Sequence, residues 1–216
     1  MSRNLSYQAL TLRVRAQGES NREAWFLTAE EGIIRATIFG GPKSKLRAQV
    51  MPFHEGKLLV YHDPVKDTRK VSEFDIHSYR AGLRELYERI MAANAVAETI
   101  LAFHGGGGNW EEASSLAASV LDALETADRE ASSRLALYFL WHWAGILGLR
   151  HKLSLGTNAP EPASGAGSWL KMIETLPAGE VKRVSLDTLS MEQAQFFTQS
   201  ILSNALGKRL GGWDMI

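Results

Sequence analysis

Gly18-Glu19-Ser20-Asn21-Arg22 opens a stretch that closes at Met51-Pro52-Phe53, and Gly40-Gly41-Pro42-Lys43-Ser44-Lys45-Leu46-Arg47 lies between them. Glu23 to Thr28 reads as a strand ended by Glu30-Glu31-Gly32. Ile33 to Phe39 reads as the next, with Arg35 and Thr37 among β-branched and aromatic residues. Gly40-Gly41-Pro42 breaks it. The loop that follows carries Lys43, Lys45 and Arg47 within five residues. Like charges this close repel one another, which favours a surface that meets anions.

The same pattern extends outward. Ala9 to Arg15 alternates, with Leu10, Leu12 and Val14 on one side and Thr11, Arg13 and Arg15 on the other. Period two with β-formers marks a half-buried strand, and Gly18 ends it. Leu58 to His62, ended by Asp63-Pro64, is a fourth strand, and Arg69 to His77 a fifth. Five short strands joined by Gly, Pro and Asp turns suit a small closed barrel, because closure removes exposed edges. A five-stranded oligonucleotide-binding (OB) barrel fits best, and a sandwich fits the same strand count. Phosphate contacts need cations, and single strands also need flat rings. The candidate DNA-binding cations are Arg13, Arg15, Arg22, Arg35, Lys43, Lys45, Arg47, Lys57, Arg69 and Lys70. The candidate rings are Trp25, Phe39 and Tyr61, for which core packing is the competing explanation.

From residue 79 the period changes to that of helices. Tyr79 to Phe103 carries apolar residues at helical spacing, and His104-Gly105-Gly106-Gly107-Gly108 ends it. Asn109 and Glu112 form a capping-box pattern before the stripe Leu116, Val120, Leu121 and Leu124. Ala131 to Leu149 is apolar almost all round, which predicts a helix at the centre of a bundle. Ser154 to Ser168 turns to Gly, Pro, Ala and Ser and reads as a loop. Ser190 and Gln193 suggest a second capping box, and Gly207 a C-cap. The predicted class is α+β in two domains: an OB barrel over residues 1–78 and a helical domain over 79–216, with a cysteine-free loop at about 151–168.

The 216 residues have zero formal net charge and no cysteine. Residues 1–80 hold 13 Lys and Arg against 9 Asp and Glu, and residues 81–216 hold 11 against 15. A basic front half suggests an anionic partner there. Without cysteine there are no disulfides and no thiolate metal sites. The N-terminus lacks an apolar signal core, and the most apolar run, between Arg134 and Arg150, falls short of the roughly 20 residues of a membrane span. No membrane role is predicted, and a cytoplasmic protein is expected.

No catalytic constellation is present. Gly105 to Gly108 is followed by Asn109-Trp110-Glu111-Glu112, where a P-loop would need Gly-Lys-Ser/Thr. Pro42 removes an amide that a phosphate cradle at Gly40-Gly41 would use. None of the six histidines forms a His-x-x-x-His pair. Ser20 lacks the second glycine of a nucleophile elbow. The sequence predicts a protein that is not an enzyme.

With these residues in view, the chain resembles the bacterial recombination mediator family RecO. The match runs through Gly18-Glu19-Ser20-Asn21-Arg22, Leu27-Thr28, Glu31-Gly32, Arg35, Gly40, Lys43-Ser44-Lys45-Leu46 and Pro52-Phe53, with weaker echoes at Phe139 to Gly148 and Leu206 to Leu210. The resemblance implies an N-terminal OB barrel, a C-terminal helical domain, and binding of single- and double-stranded DNA. It also implies annealing of complementary strands and, with RecR, help in loading RecA onto DNA coated by single-strand-binding protein. Arg22, Arg35, Lys43, Lys45 and Arg47 would be phosphate contacts. Many members carry a four-cysteine zinc module after the third helix. Here His151-Lys152-Leu153 stands there without cysteine, so no zinc or other cofactor is expected. Members can carry an arginine before the phenylalanine of the third helix, where the tail of single-strand-binding protein docks. Leu137-Tyr138 stand there, with Arg134 one turn earlier, which leaves Arg134 and Tyr138 as the partner-binding candidates. The alternative is a RecO-like protein-interaction adaptor with weak or no DNA binding.

Overall fold

The computed structural model describes residues 3–41, 43–103, 109–150 and 164–215. The chain divides into two compact units, Met1–Arg80 with Trp110–Ser114, and Ala81–Asn109 with Ser115–Ile216.

In the first unit, five strands form one closed barrel in the order β1-β2-β3-β5-β4. They are β1 (Asn4–Gln17), β2 (Asn21–Thr28), β3 (Gly32–Ile38), β4 (Glu55–Asp63) and β5 (Thr68–Ser78). All pairings are antiparallel except that of β3 with β5, which closes the barrel. The sandwich that the strand count also allowed is thereby excluded. Between β3 and β4 lies the short helix α1 (Lys45–Gln49). The expected loop at Lys43–Arg47 is therefore a turn leading into a helix. Pro42, in the expected Gly-Gly-Pro break, lies outside the described residues.

The barrel interior holds Tyr7, Ala9, Ala24, Phe26, Ile34, Ala36, Ile38, Leu58, Val60, Val71 and Phe74, with Val50 from the end of α1. Phe26 and Phe74 meet edge to face at 5.9 Å. Leu46 packs on the same core, so α1 is held there through Leu46 and leaves Lys45 exposed. Strand β1 corrects the sequence reading. It begins at Asn4, and a register shift between Thr11 and Arg13 makes Leu12 the extra residue of a bulge. A bulge moves later side chains to the other face. Leu5, Tyr7 and Ala9 face the core before it and Val14 after it, so Leu10, Leu12 and Val14 do not share one face as simple alternation predicts. Gly56 faces the interior where β4 crosses a second shift, and a Cβ there would enter the Asp75 carbonyl of β5.

The second unit is helical: α2 (Tyr87–Ala102), α3 (Trp110–Leu124, whose first turn groups with the barrel unit), α4 (Arg129–Ile146), α5 (Ser164–Ile173), α6 (Ala178–Val181) and α7 (Thr188–Leu206). Helix α4 is central and packs against α2, α5, α6 and α7. Asp128 caps it by accepting from the Ala131 amide at 2.8 Å. Phe139 and Trp143 stack at 5.6 Å.

Several helical boundaries differ from the sequence reading. Tyr79 to Phe103 is not one helix. Arg80 has φ 45°, Ala81–Arg84 is a 3-10 turn, and Leu86 is extended before α2 begins. Apolar spacing persists across such a turn because it records burial, whereas the backbone break is fixed by tertiary bonds. Gly82 donates to Glu125 Oε1 at 3.1 Å, and Arg89 reaches the carbonyls of Gly82, Glu125 and Ala127. Helix α4 runs from Arg129 to Ile146 where Ala131 to Leu149 was predicted. The cap of α7 is Asp187, which accepts from the Ser190 amide, where a Ser190–Gln193 box was predicted. Gly207 ends α7 at φ 70°, the left-handed conformation expected of a glycine cap. Residues 164–168, predicted as loop, are the start of α5. The remainder of the predicted loop, 151–163, and the predicted turn His104–Gly108 lie outside the described residues.

Candidate nucleic-acid interface

Strand register decides which cations share a surface. Residues opposite one another in a sheet point to the same face. Ala24, Phe26, Ile34, Ala36 and Val71 face the core, so their odd or even neighbours face outward. Arg13 lies opposite Trp25, and Trp25 opposite Arg35. The adjacent outward row runs Arg15, Glu23, Thr37, Lys70, Tyr61, one residue from each of the five strands. Four of the ten candidate cations, Arg13, Arg15, Arg35 and Lys70, thus lie in two adjacent outward rows of the barrel together with two of the three candidate rings.

The third ring, Phe39, joins them. It follows the last residue of β3, is 46% exposed, and lies under Lys70, whose Nζ is 5.0 Å from the ring centroid. The Arg15 guanidinium lies over Trp25 at 5.6 Å. Arg3 donates to the Tyr61 hydroxyl at 3.2 Å. Core packing therefore does not account for these rings: Trp25 and Tyr61 are half-buried and Phe39 is exposed.

An acid sits within the row. Glu23 accepts from Arg35 Nε at 3.1 Å, with side chains 20% and 65% exposed respectively. Glu23 and Arg3 are the members that sequence reading missed. Only the period-two offset of Glu23 from Trp25 could have placed it on this face.

The other candidates lie elsewhere. Arg22 is opposite Ala16 and Ile38, on the side of the core residues, where the barrel ends. Arg69 is also on that side and bonds Glu31 at 2.6 Å. Glu31 further accepts from the Tyr7 hydroxyl at 2.5 Å. Burial first, then this bond to a carboxylate, pushes the Tyr7 phenol up to about 12. Lys57 is outward but stands between Gln8 and Asp75. Lys43 and Lys45 are exposed and Arg47 half-buried, all in the turn and helix α1 that packs against β5.

Arg134 and Tyr138 are engaged within the helical unit. Arg134 donates to the Lys182 carbonyl at 3.1 Å and pairs with Glu130. Tyr138, 5% exposed, donates to the Leu176 carbonyl at 3.0 Å. Neither offers an open docking group. Among the described residues, no helix is long and apolar enough to cross a membrane.

Residues 1–80 match the family model described as Recombination protein O N terminal. No curated protein matches the chain.

Proposed function

The chain carries, over residues 1–80, the N-terminal domain of the RecO family, a domain of DNA recombination and repair, and on that premise we propose that it is a DNA-binding strand-annealing mediator. It binds single- and double-stranded DNA, brings complementary strands together, and with RecR helps load RecA onto DNA coated by single-strand-binding protein. It needs no nucleotide hydrolysis and no metal for this. The mechanism is charge neutralisation: cations on the barrel screen phosphate repulsion so that two strands approach. The observation that carries the reading is the outward gathering of Arg13, Arg15, Arg35 and Lys70 on a barrel of this family. Lys43 and Lys45 supply further exposed charge.

The test is annealing of complementary strands precoated with single-strand-binding protein, with and without RecR. Acceleration supports the reading, and no acceleration in either condition removes it. Changing Lys43, Lys45 and Arg47 together to Ala is expected to flatten the salt dependence of single-strand binding by about 2 in log–log slope. The second reading, an interaction adaptor, is favoured by the pairs Arg35–Glu23 and Arg69–Glu31, which spend two candidate cations within the barrel. It requires DNA affinity that is absent or indifferent to salt.

A further inference from the structure

Three aromatic rings stand outside a barrel whose interior is already filled. Tyr7, Phe26 and Phe74, with aliphatic neighbours, occupy the core. Trp25, Phe39 and Tyr61 lie outward, each beside a cation: Arg15, Lys70 and Arg3. An exposed ring costs hydrophobic free energy that burial would recover. Rings and cations paired in this way along the outward rows suit a flat, anionic ligand.

We infer that this face selects single-stranded over duplex DNA, stacking unpaired bases on Phe39 and Tyr61 with Trp25 as a third platform. The inference rests on the DNA-binding reading above and specifies its substrate. The spacing of the rings makes the selection. Neighbouring strands lie about 4.8 Å apart, and same-face residues along a strand about 6.7 Å apart. Phe39 and Tyr61 are two strands and one same-face step apart, and Trp25 and Phe39 one strand and two steps. Phe39 is thus roughly 10–15 Å from Tyr61 and from Trp25. Bases stacked in a duplex strand follow at about 3.4 Å. A duplex cannot present bases to two such rings without unpairing and unstacking, whereas a single strand can splay. Every base has a flat face, so the preference carries no sequence. Lys70, between Phe39 and Tyr61, is placed for the intervening phosphate.

The experiment uses the full chain and fluorescence anisotropy with three labelled probes of equal length: oligothymidylate, the same backbone without bases, and a duplex. Wild type is compared with Phe39→Ala, Phe39→Tyr and Lys70→Ala. Phe39→Ala is expected to weaken oligothymidylate binding about fivefold or more. Its salt slope and its affinity for the abasic strand stay unchanged, and Phe39→Tyr restores binding. Lys70→Ala is expected to weaken both single strands and flatten the slope by about 0.7. If Phe39→Ala leaves oligothymidylate binding unchanged, or weakens the abasic strand equally, the stacking inference falls while DNA binding stands. If wild type binds no probe in a salt-sensitive way, the DNA-binding reading falls and the inference with it.

Discussion

The barrel and the helical unit use the same residue types in opposite ways. In the barrel, Arg15 and Lys70 lie over Trp25 and Phe39 on a face open to solvent. In the helical unit, Trp143, Trp169 and Trp213 are buried, Arg89, Arg134 and Arg209 serve backbone carbonyls or nearby acids, and the one ring under a guanidinium there, Trp141 beneath Arg150 among the described residues, is itself buried. Arg89 spans three carbonyls, and Arg209 joins Gln199 and Asp214. A guanidinium bound this way fixes loops and has little left for a ligand. The difference teaches that charge and aromatic content do not locate a binding surface. The face on which the chain sets them does.

The largest effect expected from this contrast is in the helical unit. Trp213 is fully buried in the C-terminal 3-10 turn Gly211–Met215, and its indole donates to Thr99 Oγ1 of α2 at 2.8 Å. Trp213→Ala is expected to cost about 3–5 kcal/mol in denaturant unfolding. Trp25→Ala, on the half-buried barrel face, should cost clearly less. Equal losses would break the distinction between a structural and a presented tryptophan.

Next in size is a charge cluster of the barrel that resembles the helical unit in use. Tyr7, Arg69 and Glu31 tie β1 and β5 to the β2–β3 turn. Tyr7→Phe removes a hydrogen bond to a carboxylate and is expected to cost about 1.5–3 kcal/mol. The phenol also predicts the pH response. Its value is raised in the folded barrel, so the neutral form is favoured by folding. That contribution is complete below about 10, the ordinary tyrosine value. It is lost as pH rises toward about 12. Ultraviolet titration of Tyr7 should show this delay, and an ordinary midpoint would sink the network. The Asp187 cap responds at the other end of the scale. Bonds from Ser190 hold its carboxyl below the ordinary range. Its contribution to α7 persists through mild acid and is lost as pH falls through that lowered value, which carboxyl NMR of the folded protein reads directly.

Much of this was legible in the sequence. Period two with Gly and Pro turns located all five strands, because half-buried strands must alternate. It misassigned β1 because a bulge resets the alternation, and the extra Leu12 is as apolar as its neighbours. Helix α5 was missed because Gly165, Gly167 and the alanines read as loop, although Trp169, Leu170 and Ile173 pack from it. The cation list was right in kind but not in grouping. Arg22 and Arg69 are as basic as Arg15, yet only pairing register separates inward from outward positions. Glu23 was passed over because an acid carries no signal for anion binding until Arg35 is seen against it.

The smallest predicted effect separates the two units most finely. Among the described residues, Glu23 is the acid in the paired positions Arg13–Trp25–Arg35 and Arg15–Glu23–Thr37–Lys70–Tyr61. Its pair with Arg35 copies in miniature what the helical unit does with its arginines, but the guanidinium here is 65% exposed. A phosphate that meets Arg35 must displace the carboxylate, so DNA affinity on the proposed reading is lowered by the strength of an exposed pair, about 0.2–1 kcal/mol. Glu23→Gln frees Arg35 without changing size. It is expected to tighten single-strand binding by about 1.5- to 5-fold and to steepen the salt slope by about 0.7, while folding stability falls by no more than about 1 kcal/mol. Binding and stability should therefore move in opposite directions. If both fall, Glu23 is a structural partner like Glu130 and Asp214, and the barrel face is less open than its register implies. If binding rises, the pair acts as a weak internal competitor that keeps a bound strand releasable.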